Sequence, residues 1–402
     1  MSQVIARRLQ LHPTIVLMAC AHMMVDGYGN IFAPLLPLLI PRLDLNLATA
    51  GVLMMLFQLA ASVAQVGFGY LADRWRPRLL LVAGPVVAVT GLSMLGLATS
   101  TPMLAAILIA GGLGGAAFHP PAAALAHRLG GERPGFAMSV YITGGTLGFS
   151  LGPLLFAPFA QYAGLEWTPL LALPGLAVIA VFISKVPAYP PPTAGRQGLG
   201  ALRPYARPLT LLYLIVVLRT LTSLSFATFV PVMLTRQGHS VSYAGIAVAV
   251  YLFASGIGGF FGGPAADRFG ARRVIAWSLI ASCPFLLAAP FLTGWPFLAM
   301  LAIGGLFLQS TLPVNVTLGQ TLAPVSAATV SSLMMGFAWG TGGLSVPFVG
   351  MIADRVGIEH TLVGLALVPL AAAAFAWPLP NPGQKPPATP RPADVILPDT
   401  GA

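Results

Sequence analysis

Apolar runs of roughly 20 to 27 residues follow one another along nearly the whole chain, and each is long enough to cross a hydrocarbon core of about 30 Å as one helix. A barrel strand would need about half that length and would alternate polar with apolar residues. Helices fit and strands do not. Composition agrees, since 57% of the 402 residues are apolar and 7% are charged. The mean hydropathy of +0.86 lies far outside the range of soluble domains. The chain therefore reads as an all-α membrane protein.

Twelve spans are expected, over 14–38, 47–71, 79–99, 103–127, 135–160, 166–186, 209–235, 242–266, 272–293, 296–319, 326–352 and 360–379. The first lacks a small-residue cleavage site and is longer than a signal-peptide core, so it is expected to be retained. A net charge of +10 would suit nucleic acid, but the basic residues fall in short loops on one side. With a cytoplasmic N-terminus, Arg42, Arg236 and Arg355 are the basic loop residues left outside. This positive-inside distribution puts both termini in the cytoplasm of a plasma-membrane protein, the inner membrane of a bacterium. The expected partners are the bilayer and a small-molecule substrate, not nucleic acid. Cys20 and Cys283 sit within spans 1 and 9 without metal-ligand spacing and read as packing residues.

Residues 187–208, "PAYPPPTAGRQGLGALRPYARP", form the one long polar, Pro-rich interruption, and they follow the sixth span. They divide the chain into a six-helix bundle over 1–186, a cytoplasmic linker over 187–208 and a second bundle over 209–379. The tail, 380–402, is Pro-rich and expected to be disordered. The halves also echo each other. "GYLADRWRPR" (69–78) closes span 2 and "GGPAADRFGARR" (262–273) closes span 8, with Asp73-Arg74 and Asp267-Arg268 194 residues apart. "TGGTLGFSLGP" (143–153) in span 5 is answered by "TGGLSVPFVG" (341–350) in span 11. A repeat at half the chain length implies duplication of a six-helix unit, an arrangement common in secondary transporters.

On these residues the chain resembles the major facilitator superfamily, whose signature Gly-x-x-x-Asp-Arg-x-Gly-x-Arg-Arg is matched by Gly263, Asp267, Arg268, Gly270, Arg272 and Arg273. The first-half copy departs from it at Arg76-Pro77-Arg78. The resemblance implies two pseudo-symmetric six-helix bundles, with helices 1, 4, 7 and 10 lining a central cavity. It also implies a gate in which Asp73 with Arg74, and Asp267 with Arg268, Arg272 and Arg273, tie the halves together on the inside. The carboxylates would do so against the positive N-termini of helices 11 and 5. Within the superfamily, "AHMMVDGYGNIFAPLLPLL", "GGAAFHPPAAALAHRLGG" and "GFAMSVYITGGTLGFSLGPLL" resemble the fosmidomycin-resistance-type efflux group, although Pro121 stands where a carboxylate is expected after Phe118-His119-Pro120. Gly144, Gly148 and Gly152, followed by Pro153, make a small-residue face for close helix packing and partly resemble the helix-5 motif of drug antiporters.

Few ionisable groups lie inside the spans: His22, Asp26, His119 and Arg219. Each costs at least about 2.5 kcal/mol to insert, which marks them as functional candidates. His22, Asp26 and Asn30 are four residues apart and form one helical stripe. Arg219 minus the repeat offset falls one residue from Asp26, so the two are expected at nearly equal depth, with Arg219 either a counter-ion to Asp26 or an anchor for an anionic group. Asp26, His22 and His119 are the candidate proton-coupling residues, and Asp26's proton affinity would depend on which way the cavity opens. Asn30, His119, Arg219, Ser223, Gln309 and Asn315 are the candidate substrate contacts.

These features point to a secondary active transporter without a cofactor or metal, a monomer most simply exporting small molecules against protons. The alternative is a symporter importing an organic anion. No nucleophile-base arrangement, metal-ligand motif or phosphate loop stands out, which argues against a membrane enzyme or an ATP-driven pump.

Overall fold

The computed structural model describes residues 13–72, 77–130, 134–187, 199–323, 330 and 333–380. Eleven described helices are long and apolar enough to cross a membrane. They comprise α1 (Pro13–Leu43), α2 (Leu47–Ala72), α3 (Pro77–Leu97), α4 (Thr101–Leu129), α5 (Pro134–Ala163), α6 (Leu165–Lys185), α7 (Ala206–Arg236), α8 (Val241–Phe269), α9 (Ala271–Phe291), α10 (Gly294–Leu322) and α11 (Leu333–Val356). The expected twelfth span, α12 (Ile358–Ala374), is shorter and broken into Ile358–Leu365 and Val368–Ala374. Pro369 in the first turn of the second piece has no N–H to return to Leu365, so a continuous helix is interrupted there. Of the expected linker, residues 188–198 lie outside the described residues, as does the tail beyond Pro380.

Proline also shapes α1. Pro34 would collide with the carbonyl of Asn30 in a continuous helix, and α1 is indeed two helices, Pro13–Gly29 and Phe32–Leu43. At the break the Asn30 side chain donates to the Asp26 carbonyl at 2.9 Å, replacing a lost backbone bond. Two π-helical turns, Leu59–Val63 in α2 and Leu333–Phe337 in α11, pack against each other across the seam between the halves. Such turns loosen the regular hydrogen-bond ladder and recur at functional positions.

Within the first half α5 lies directly on α1. A Cβ at Gly144, Gly148 or Gly152 would strike the backbone of Ala19, Met23 or Gly27 respectively. The outer surface carries large apolar groups that water would not tolerate, among them Phe260, Phe261, Trp277, Phe291 and Trp295, all at least 60% exposed.

The halves meet along α2 with α11 and along α5 with α8. The end of the bundle where α1 turns into α2 is the far end; the opposite end carries the connection from α6 to α7. At the far end the two seams are fastened in the same way. Asp354 of α11 accepts from the backbone N–H groups of Leu47 (3.0 Å) and Ala48 (2.9 Å) at the start of α2, while Asn46 accepts from Thr49. Gln161 of α5 accepts from Ser242 (2.6 Å) at the start of α8, while Ser240 accepts from Tyr243. Each helix N-terminus thus has its orphan donors satisfied partly from the other half. The backbones close tightly there as well: a Cβ at Gly51 would stand 2.7 Å from the Val346 carbonyl oxygen.

Candidate functional site

The first segment of α1 and the facing turn of α4 place a buried carboxylate beside two imidazoles. Asp26 and His22, one turn apart, are each 8% exposed, and His22 Nε2 stands 3.1 Å from Asp26 Oδ2. From α4, His119 brings its Nε2 to 3.4 Å from Asp26 Oδ1. The two imidazole rings meet edge to face at 5.1 Å. Each carboxylate oxygen therefore has its own imidazole.

The orientation of His22 is fixed from behind. Its Nδ1 donates to the Tyr141 carbonyl oxygen of α5 at 2.8 Å, and the Tyr141 ring stacks on it at 4.1 Å. A carbonyl only accepts, so Nδ1 carries a hydrogen; Nε2 then faces a carboxylate, and one further proton must lie between that nitrogen and Asp26. The pair can hold it as imidazolium with carboxylate or as imidazole with carboxylic acid. In either form the pair is charge-neutral, which removes the cost of an isolated ion in a low-dielectric interior. His119 needs only its neutral Nε2–H tautomer to complete the set.

Two residues essential to this geometry lie in the patterned stretch of span 5, where neither charge nor spacing marks them as site residues. Tyr141 acts through its backbone and ring face. Gly145 supplies room, for a Cβ there would stand 2.5 Å from Asp26 Oδ2 and 2.6 Å from His22 Nε2. Gly145→Ala is expected to displace the carboxylate and lower the transport rate in vesicles by about tenfold or more, the scale on which small misplacements act. Gly67→Ala, where nothing lies within 4 Å, is the matched control and should transport normally.

The donor atoms of His22, Asp26 and His119 lie within 4.8 Å of one another, a grouping that sequence spacing did not offer as a metal set because His119 arrives from another helix. Its donors have the chemistry of a transition-metal site. The two imidazoles address different carboxylate oxygens in hydrogen-bonding geometry.

Arg219 does not pair with Asp26, contrary to the expectation from the repeat offset. It is fully buried in the second half, where it donates to Gln309 of α10 and to Thr220 Oγ1 at 3.3 Å, with the Trp339 ring of α11 5.5 Å from its Cζ. The physical reason is azimuth. The offset makes Val25, not Asp26, the counterpart of Arg219, and one residue is about 100° around a helix. Val25 packs into the interior of the first half, and Arg219 into the interior of the second.

The remaining candidates divide likewise. Ser223 accepts from Gln309 Nε2 at 3.0 Å and from the Tyr251 hydroxyl at 3.2 Å, so Ser223 and Gln309 join Arg219. Asn315 is fully buried, and neither of its amide atoms finds a partner among the described residues. Asn30 is held at the α1 break. Of the gating set, Asp73 and Arg74 lie outside the described residues. Asp267, Arg268 and Arg273 are exposed, and Arg272 lies over the Trp377 ring at 6.0 Å. Among the described residues no ion pair joins Asp267 to the other half.

The chain is similar to the fosmidomycin resistance protein of Escherichia coli (strain K12), at 30% identity over 87% of this chain and 88% of that protein. It is also similar to the uncharacterized MFS-type transporter YfnC of Bacillus subtilis (strain 168), at 29% identity over 92% and 93%. In fold it resembles a bacterial homolog of the human lysosomal transporter Spinster in an inward-facing, unoccupied conformation. That similarity has a TM-score of 0.75 and 18% identity, and covers 90% of this chain and 95% of that one. The Major Facilitator Superfamily model matches residues 18–216 and again 212–398, and with these helices around a buried polar interior the chain belongs to that superfamily of membrane transporters.

Proposed function

We propose that the protein is a proton-coupled exporter of small molecules that works by alternating access in the plasma membrane, with Asp26 as the group that takes and releases the coupling proton. One observation carries this reading: the only carboxylate set deep among the described spans is held between two imidazoles, a constellation that keeps a shared proton as a charge-neutral pair and leaves a carboxylate hydrogen-bonded by His119 when the proton departs. Export is favoured over import by the similarity to a protein named for fosmidomycin resistance. Import of an organic anion with protons is the second reading, and the buried Arg219 favours it.

In this account the halves 1–186 and 209–379 rock about the seam where the two π-helical turns meet. The far end faces the outside and is shut by the Asp354 and Gln161 caps. The end carrying the linker faces the cytoplasm, and Asp267 is exposed there. To open outward, the far-end caps break, and Asp267 with Arg268 closes the cytoplasmic end against α5.

The test is a compound screen in proteoliposomes carrying an internal pH indicator. Addition of a transported compound should produce a saturable pH change that liposomes without protein lack. Transport of compounds by the protein with no accompanying proton movement would contradict the proposal.

A further inference from the structure

We propose that Arg219 is the seat of an oxyanion, so that the transported compounds carry a carboxylate, phosphonate or similar anionic oxygen group; this rests on reading the chain as a transporter. The guanidinium is fully buried and stays charged, yet no carboxylate lies within ion-pairing distance of it among the described residues. Its described acceptors are both neutral, the side-chain oxygens of Gln309 and Thr220, and its Nε–H has no partner. A buried charge left without a counter-charge is strongly destabilising, whereas breaking even with a paired one is common. A purely structural arginine would be expected to bring its own acid.

The surroundings look arranged for an exchange. Gln309 presents its carbonyl oxygen to Arg219 because its amide nitrogen is anchored on Ser223, which Tyr251 holds in turn. The uncharged oxygen of Gln309 thus occupies the position of an anionic one. Trp339, only half-buried, covers the guanidinium face and offers a flat apolar wall to the rest of a ligand. An incoming oxyanion would displace the Gln309 oxygen and accept from the guanidinium fork, including its free Nε–H. Displacement breaks a link between α7 and α10, so occupancy of the site and movement of those helices are coupled.

The experiment uses the full-length protein in detergent, with benzoate and methylphosphonate as probes and benzamide and dimethyl methylphosphonate as their neutral counterparts. At least one anion should raise the melting temperature saturably, by mass action on the folded state, and neither neutral compound should. Arg219→Lys should weaken that response about tenfold or more, because an ammonium lacks the planar fork. Gln309→Glu places a carboxylate on the guanidinium from within. This variant should melt above the wild type without ligand and should have lost the anion response. Asp26→Asn should keep the response, which separates failure of the anion site from failure of proton coupling. The proposal is overturned if neither anion acts, if the neutral compounds act equally, or if Gln309→Glu responds to anions as the wild type does.

Discussion

Asp26→Asn stops proton-driven transport while leaving the protein folded: in energised vesicles the flux is expected to fall about 100-fold or more, the scale on which a positioned proton acceptor acts. The substitution is close to isosteric. An asparagine oxygen can accept from His119 Nε2–H, and its amide can donate to His22 Nε2, while His22 Nδ1 keeps its bond to the Tyr141 carbonyl. Every polar atom stays satisfied and no imidazolium is required, so thermal melting should be near that of the wild type. What is lost is the carboxylate that shares the proton with His22. Asp26→Ala is the harsher variant, since it strips both imidazoles of their partner, and its failure to transport would be harder to assign. Flux at the wild-type rate in Asp26→Asn would show that the coupling proton binds elsewhere.

Removing the carboxylate of Asp354 is expected to shift the protein toward the state open at the far end. This side chain, exposed at the end of α11, is the acceptor for two N–H groups at the start of α2 in the other half. Loss of a helix cap costs about 1 kcal/mol. The cost falls on the far-end-closed state alone, because the caps part when that end opens. A shift of this size changes the ratio of the two states about fivefold. Spin labels at Arg42 and Arg236, exposed at the far ends of α1 and α7, would report it as a larger fraction of long distances in Asp354→Ala. Asp354→Glu should recover part of the wild-type distribution. Gln161→Ala, at the matching seam, should act in the same direction but less, since it removes one uncharged acceptor. An unchanged distance distribution in Asp354→Ala would remove the cap from the gate.

How far the sequence could be read follows from what each feature depends on. Helices long enough to span a bilayer announce themselves by length and apolarity, so eleven of them fall where the runs do; the twelfth run also forms a helix, but a shorter one, broken before Pro369. His22 with Asp26 was legible because one helical turn fixes their contact regardless of tertiary structure. His119 was legible as a costly polar residue, but its attachment to Asp26 depends on how α4 packs on α1. The pairing of Arg219 with Asp26 failed because a repeat offset gives depth along a helix and leaves the facing direction open. Tyr141 and Gly145 act through a carbonyl, a ring face and an absent side chain, none of which leaves a polar mark. The far-end caps did leave a trace: Asn46 and Ser240 are related by the same offset of 194 residues as Asp73 and Asp267, and Asp354 and Gln161 fall within one residue of it.

The central claim is that Asp26 carries the coupling proton, and the most direct test measures proton and compound in the same vesicles. Proteoliposomes holding wild type or Asp26→Asn, a pH indicator and a radiolabelled transported compound are assayed for exchange of that compound and for internal pH. The account predicts that Asp26→Asn still exchanges labelled for unlabelled compound but produces no pH change during net flux. A compound-dependent pH change of wild-type size in Asp26→Asn would contradict it.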